Sequence, residues 1–598
     1  MLDAYKKMAH CVYLFIILLV VTGCTSRVNT PKPLSPETTL SDDQGVLIIR
    51  VVNASSYPLP LNSISIFPDN INESKDVQVV SLRALKSINN GVTVFAAPVN
   101  SGKYTVGNVG GAHSKDGYWY SKYISGGTQL GLFNIRPNKV TDLGTLIYYP
   151  EPNGDHYKDV LFRVPEFSRQ PGELMDKYYP FFKYDKTQTL SWLDDDYDEE
   201  RNDYYSFAAQ NPVSFETKYR APDNNIHFLG KMGVILTFTE SQNFELDAIN
   251  TDLALVAMSQ NQSGIKVVAD AEGNIFVKRN DEQWQTISNN RDTRIHSLKF
   301  VDETTLEIVS SSLNYINIHR LSLLAENEIK LINSYNFITD WSVEHSPIEE
   351  DGSQRKKNSK IQAPIHKYIT SVSLLTLNEK EYISIQYVSN EEYAAFGGGN
   401  VRAFEYDPET WSVNMFKADI GLHAIIDAGH VKLGIKSYSS LSSTKNPTYY
   451  TFDNNNGAIE KMDPKAHGCK KGVLTNSLKC RLNKKVKGKT AVMKSMTMPF
   501  RLSSPPVFTS DNEAIALAHF RVKMWNMTAQ DELQIIKTRD GGKRWTVTGN
   551  TVPNKFCGTL IPDISDRLLL SCNGATGDFY ESFDEGKTWN QIRQQETF

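Results

Sequence analysis

Thr538-Arg539-Asp540-Gly541-Gly542-Lys543-Arg544-Trp545 and Ser582-Phe583-Asp584-Glu585-Gly586-Lys587-Thr588-Trp589 decide how this chain is read. Both spell S/T-x-D-x-G-x-x-W, and their aspartates lie 44 positions apart. A repeat in the forties is the length of one four-stranded propeller blade. The motif has a mechanical sense: Asp and Gly shape a tight turn, the glycine accepts positive φ, and the Trp beyond it packs into the sheet. Thr538, Asp540, Gly542, Trp545, Ser582, Asp584, Gly586 and Trp589 are therefore expected to be structural. Upstream, β-rich segments repeat the meander without the box, at 295–300, 306–309 and 316–320, and again at 368–376, 381–388 and 401–406. Asp270-Ala271-Glu272-Gly273-Asn274, followed by Trp284, is a looser echo. The count predicts a β-propeller of about seven blades, with six as the alternative, over 157–598.

These two boxes resemble the Asp-box, or BNR, repeat of sialidase-like and sortilin-like β-propellers. That resemblance implies boxes on outer-strand turns, remote from a catalytic face. It leaves function open, because such propellers include glycosidases as well as receptors and assembly factors that only bind. A sialidase-like site implies an arginine clamp for a carboxylate, an acidic Asp and a Tyr activated by Glu. Phe162-Arg163-Val164-Pro165 is similar to the family's F/Y-R-I-P start motif, which makes Arg163 the candidate catalytic residue. Arg402 and Arg501 are candidates for the other two arginines.

Ahead of the propeller, 44–150 alternates short β-rich segments with turns, so the whole chain reads as all-β, with a small amino-terminal β-sandwich. Pro98-Val99-Asn100-Ser101-Gly102-Lys103-Tyr104-Thr105-Val106 and Phe133-Asn134-Ile135-Arg136-Pro137-Asn138-Lys139-Val140 are similar to the turn-and-strand pattern of transthyretin-like and Ig-like sandwiches. That resemblance implies a spacer or binding module. At the amino terminus Lys6 and Lys7 precede an apolar run, 11–21, ending in Val21-Thr22-Gly23-Cys24. The run is far shorter than the roughly 20 residues a membrane-spanning helix needs. It resembles a bacterial lipoprotein signal. On that resemblance 1–23 is removed, Cys24 is acylated, and 24–43, with Pro31, Pro33 and Pro36, is a flexible linker to the fold. Thr25, rather than Asp, favours the outer membrane.

Four further cysteines, Cys469, Cys480, Cys557 and Cys572, suit an oxidising compartment. Three pairings exist, and local pairing, 557 with 572 and 469 with 480, is expected because 557–572 reads as a hairpin. The insertion 464–510 holds eleven Lys or Arg and no Asp or Glu. Lys470, Lys471, Lys479, Arg481, Lys484, Lys485, Lys487 and Lys489 form a local field that suits lipid phosphate, an anionic glycan or an acidic partner; a merely solvated loop is the competing reading. The formal net charge of −4 argues against a globally basic nucleic-acid binder. Nucleotide chemistry finds no support either, since Gly586-Lys587-Thr588 and Gly488-Lys489-Thr490 have Glu581 and Asn483 where a phosphate loop needs glycine. Asp194-Asp195-Asp196-Tyr197-Asp198-Glu199-Glu200 has calcium-loop spacing at its start, but Glu199 and Tyr205 replace the required Gly and Glu, so an acidic solvated loop is expected. No cofactor or metal is implied. The expected partners are the membrane, through the lipid, and an envelope protein, glycan or polyanion.

Overall fold

The computed structural model describes residues 28–593 except for internal segments, the longest being 337–367, 389–399, 416–431, 436–448 and 481–499. Its amino-terminal part is a two-layer β-sandwich. One sheet runs Val28–Asn29, Val79–Arg83, Ser63–Pro68, Gly102–Lys115, Tyr118–Ser125, with Leu132–Ile135 also on Gly102–Lys115. The other runs His156–Arg163, Val140–Asn153, Gln44–Asn53, Val92–Asn100, Lys86–Asn89. The central strand Gln44–Asn53 is apolar on both faces, as strands covered on both sides are. Leu47, Ile49 and Val51 enter the core between the sheets with Ile64, Val106, Phe95 and Phe133. Val46 and Ile48 point the other way, against Leu174 and Met175 of helix α1, Glu173–Tyr178. Arg50 and Val52 share that outer face by the period-2 rule.

Two sequence boundaries move. The sandwich does not stop at 150, because Val140–Asn153 continues and turns into His156–Arg163, with Asn153 opposite His156 and Leu146 opposite Arg163. Nor is all of 24–43 a leash. Val28–Asn29 pairs with Val79–Arg83, and Leu34 is buried with its N–H donating to the Ala96 carbonyl at 2.8 Å. Proline spacing says where a helix cannot form; it does not say that the chain stays off the surface of a neighbouring sheet.

After the sandwich come α1 and helix α2, Asp198–Gln210. The acidic run expected as a solvated loop thus opens a helix, with Asp198, Glu199 and Glu200 in the first turn, where the helix dipole favours negative charge. The propeller begins at Phe215–Arg220. From there to Asn590–Arg593 the described residues form seven antiparallel sheets of three or more strands, six of them with at least four, plus the hairpin Cys469–Lys471/Leu478–Cys480. In the first sheet (Phe215–Arg220, Ile226–Gly230, Val234–Phe238, Phe244–Ala248) and those that follow, each strand pairs with its sequence neighbour, save that Phe500–Leu502 pairs with Ala514–Arg521 past the short Val507–Phe508. Opening strands face one another from sheet to sheet: Leu255–Gln260 touches Arg294–Phe300, which touches Tyr368–Leu377. The ring is closed by apolar packing. Phe579 of the last sheet lies 5.3 Å from Phe215, 4.9 Å from Phe228 and 5.2 Å from Phe238 of the first, ring centre to ring centre. Radially repeated meanders whose last sheet meets the first make a β-propeller.

Candidate functional site: the Asp-box turn and the sandwich–propeller junction

The second box is a complete turn between Asp578–Ser582 and Asn590–Arg593. Asp584 Oδ1 accepts the backbone N–H groups of Lys587 at 3.0 Å and Thr588 at 2.8 Å, while Oδ2 accepts the Thr588 hydroxyl at 2.7 Å. The Ser582 hydroxyl donates to Asp584 at 2.8 Å and accepts the Gly586 N–H at 2.8 Å. These donors, Thr588 first, hold the Asp584 carboxyl down to about 2. Gly586 has φ +84°, and a Cβ there would meet Ile535 Cγ1 of the preceding sheet at 2.8 Å. Trp589 lies against the core shared by the last two sheets. Across that seam Lys537 Nζ pairs with Glu585 at 2.9 Å. Each residue of this second box holds backbone or a neighbouring sheet. Of the first box, Thr538 ends strand Asp531–Thr538, while Asp540, Gly542 and Trp545 lie outside the described residues.

The looser echo at 270–274 does something different. The box turn joins the third and fourth strands of its sheet; the 270–274 turn joins the second and third, Lys266–Asp270 and Asn274–Lys278. In a meander those two turns lie at opposite ends, so this one sits on the other face of the ring. There it meets the sandwich. Met232, Leu253 and Ala271 of the propeller bury against Val52, Ile147, Tyr149 and Phe162 of the sandwich and Ala208 of α2. Beside this apolar contact lies a charge cluster. Arg50 Nη1 donates to both Glu272 oxygens at 3.0 and 3.1 Å, its Nη2 reaches Asp252 at 3.4 Å, and its Nε donates to the Thr145 hydroxyl at 2.9 Å. Lys177 Nζ of α1 donates to Glu272 Oε2 at 2.6 Å, and the Tyr205 hydroxyl of α2 donates to Asp252 at 2.7 Å. Asp270 shapes the turn, accepting the N–H groups of Glu272 and Asn274, the Asn274 amide and the Thr251 hydroxyl.

The electrostatics follow from burial and pairing. The Glu272 side chain is 2% exposed. Burial alone would push its carboxyl up; Arg50 and Lys177 outweigh it and hold the group down to about 2. For Arg50 burial likewise opposes the charge, and Glu272, Tyr178 and Asp252 together more than restore it. Asp270 goes the other way: burial dominates and Glu272 adds repulsion, so its carboxyl is raised. An Arg, a Lys, three carboxylates and Tyr178 and Tyr205 include the residue types of a glycosidase centre. The bonds of Arg50, Lys177, Glu272, Asp252 and Tyr205, however, run to one another inside a domain contact.

Arg163, the catalytic candidate, is misplaced for that role. It sits on the edge strand His156–Arg163 of the sandwich, is buried, and ion-pairs with Asp198 at the start of α2, which also accepts from Arg201 at 2.8 Å. Its guanidinium stacks on Trp192 with the carbon 5.3 Å from the ring centre. Arg163 therefore fastens the linker to the sandwich. Arg402 and Arg501 are on propeller strands, opposite Ile385 and His519. The three arginines do not share a domain.

Cys557 and Cys572 form a disulfide between adjacent strands of the last sheet. Cys469 stands directly opposite Cys480 in its hairpin, and Lys470 opposite Lys479, with Lys471 next in register. Arg481, Lys484, Lys485, Lys487, Lys489 and Cys24 lie outside the described residues. Among the described residues no group of three His, Cys, Asp or Glu is placed to hold a metal, and no helix is long and apolar enough to cross a membrane.

No family model matches the sequence, and no curated protein does. Solved structures share its outline. YCF48 from Cyanidioschyzon merolae is 13% identical, covers 60% of this chain and 95% of its own, and superposes with a TM-score of 0.33. The Dos1 propeller is 8% identical over 65% of this chain and 85% of its own, TM-score 0.33. The GH74 enzyme of Niastella koreensis is 12% identical over 64% of this chain and 65% of its own, TM-score 0.26. At such distances no activity passes from these proteins to this one.

Proposed function

We propose that this chain is a lipid-anchored envelope protein whose β-propeller is a non-catalytic binding module for a protein or glycan. The observation that carries this reading is the junction. The sandwich is fastened to the face of the ring that bears the 270–274 turn, so the Asp-box face points away from the attached domain. Such a layout presents one side of a rigid ring on a fixed base, which is how a binding platform is built. In the same reading, acylation at Cys24 tethers the base to a membrane, the outer membrane being favoured by Thr25. The glycosidase alternative rested on the Asp boxes and Arg163, and the place of Arg163 in the sandwich supports the binding reading over it.

Two measurements test the reading together. Incubation of the purified protein with fluorogenic sialosides and neutral glycosides is expected to release no more fluorophore than a blank. Turnover that disappears in a propeller variant would replace binding by hydrolysis. Binding itself is expected as saturable retention of the protein on immobilised envelope glycan or on a purified envelope protein.

A further inference from the structure

We infer that the sandwich is an obligatory clamp on the propeller, supplying in trans the counter-charge that the second propeller sheet lacks. The inference does not depend on what the propeller binds. Glu272 and Asp270 stand two residues apart on one buried turn, and both cations that reach Glu272 come from outside the propeller: Arg50 from the central sandwich strand and Lys177 from α1, which packs on that same sandwich sheet. Asp252, on the loop leading into the same sheet, is completed in the same way by Arg50 and by Tyr205 of α2. With the sandwich undocked, the turn would carry neighbouring carboxylates with neither of those cations, and Met232, Leu253 and Ala271 would lose their apolar cover. While the sandwich stays docked, a charge buried there and deprived of its partner is far costlier than a pair removed whole. The ring's second sheet, Leu255–Gln260 to Gln285–Asn289, thus keeps its native closure only while the sandwich is in place, and a disturbance of the sandwich passes into the propeller through Arg50.

The test uses the full chain and hydrogen–deuterium exchange read peptide by peptide. Arg50→Met, a change in the sandwich that leaves Glu272 with Lys177 alone, is expected to speed exchange in propeller residues 255–289 by roughly 10- to 100-fold, short of the factor for a fully orphaned buried charge. Arg50→Lys, which keeps the charge, is expected to do so less. Adding Glu272→Gln to Arg50→Met should return exchange in 255–289 toward wild type, since the carboxylate left one cation short is gone and the flexible Lys177 stem can turn its ammonium to water. Acceleration confined to 44–163 with the propeller unchanged would overturn the proposal, as would a double variant no better than Arg50→Met alone. If Arg50→Met accumulates only as insoluble protein, soluble yield decides: recovery on adding Glu272→Gln supports the clamp, and failure to recover overturns it.

Discussion

Gly586 shows how one atom tests the box. Its positive φ and the 2.8 Å approach of Ile535 leave no room for a side chain, so Gly586→Ala is expected to cost about 1–3 kcal/mol through backbone strain and a clash with the preceding sheet. Urea unfolding of the two proteins measures it, and an unchanged midpoint would remove the structural role of the box. His227 makes a second residue-scale case. Fully buried, it shares a hydrogen bond with the Thr237 hydroxyl at 2.9 Å and stacks on Tyr219. Burial, with Lys266 adding to it and Asp223 opposing, pushes its imidazole down to about 4. The unfolded chain therefore takes up this proton near pH 6.5, before the folded one does. Stability is highest above that pH and falls as pH drops from about 6.5 to about 4, by roughly 3 kcal/mol from this group alone. His227→Gln should flatten that part of the stability–pH curve; a variant with the same slope as wild type would show that His227 is not its source.

At the scale of elements, the carboxyl-terminal hairpin was legible because everything that makes it is local. Cys557 and Cys572 are 15 positions apart, flank one turn, and pair as neighbours in the sheet. Removing both as Cys557→Ala/Cys572→Ala is expected to cost about 3 kcal/mol by the chain-entropy estimate for a loop of that length. The matching register of Cys469 and Cys480 leads us to expect a second bond, which non-reducing peptide mapping should recover as a 469–480 linked fragment; free thiols at both positions would refute it. The junction was illegible for the opposite reason. Arg50 finds Glu272 across 222 positions, and Lys177 finds it across 95. Nothing local marks such a meeting, although a lone arginine in the run Val46-Leu47-Ile48-Ile49-Arg50-Val51-Val52 was the available hint, since a doubly covered strand tolerates a charge only where a partner waits. Arg163 misled by the same logic inverted: three of four residues matched a motif, while the pairing of its strand with Val140–Asn153 put it in another domain.

For the whole molecule, repeat length and the box were enough to indicate a propeller after a sandwich, because both properties recur along the chain. They said nothing of which face the sandwich covers, since that depends on which turn of a sheet carries the partner charges. Two tests belong to this scale. Cys24→Ser is expected to abolish incorporation of a palmitate analogue and partition into detergent, and unchanged labelling would refute the anchor. Replacing Lys484, Lys485, Lys487 and Lys489 by Gln is expected to lower retention on heparin and to weaken its salt dependence, since each phosphate- or sulfate-bound cation releases counterions. Equal retention of the two proteins at two salt concentrations would return 464–510 to a solvated insertion.

The phenylalanine seam also sets an order of events during synthesis. Phe579 is made 364 residues after Phe215, so the first sheet emerges, pairs its strands and waits with an apolar flank uncovered until the end of the chain arrives. Non-local closures of this kind are slow and expose sticky surface in the interval. A chain that loses only its last 42 residues, 557–598, forfeits the disulfide, one box and the plug that finishes the circle. Early stop codons near the carboxyl end should therefore be as damaging to soluble yield as deletions many times larger in the middle, and the nascent protein depends on whatever shields Phe215, Phe228 and Phe238 while it is still being made.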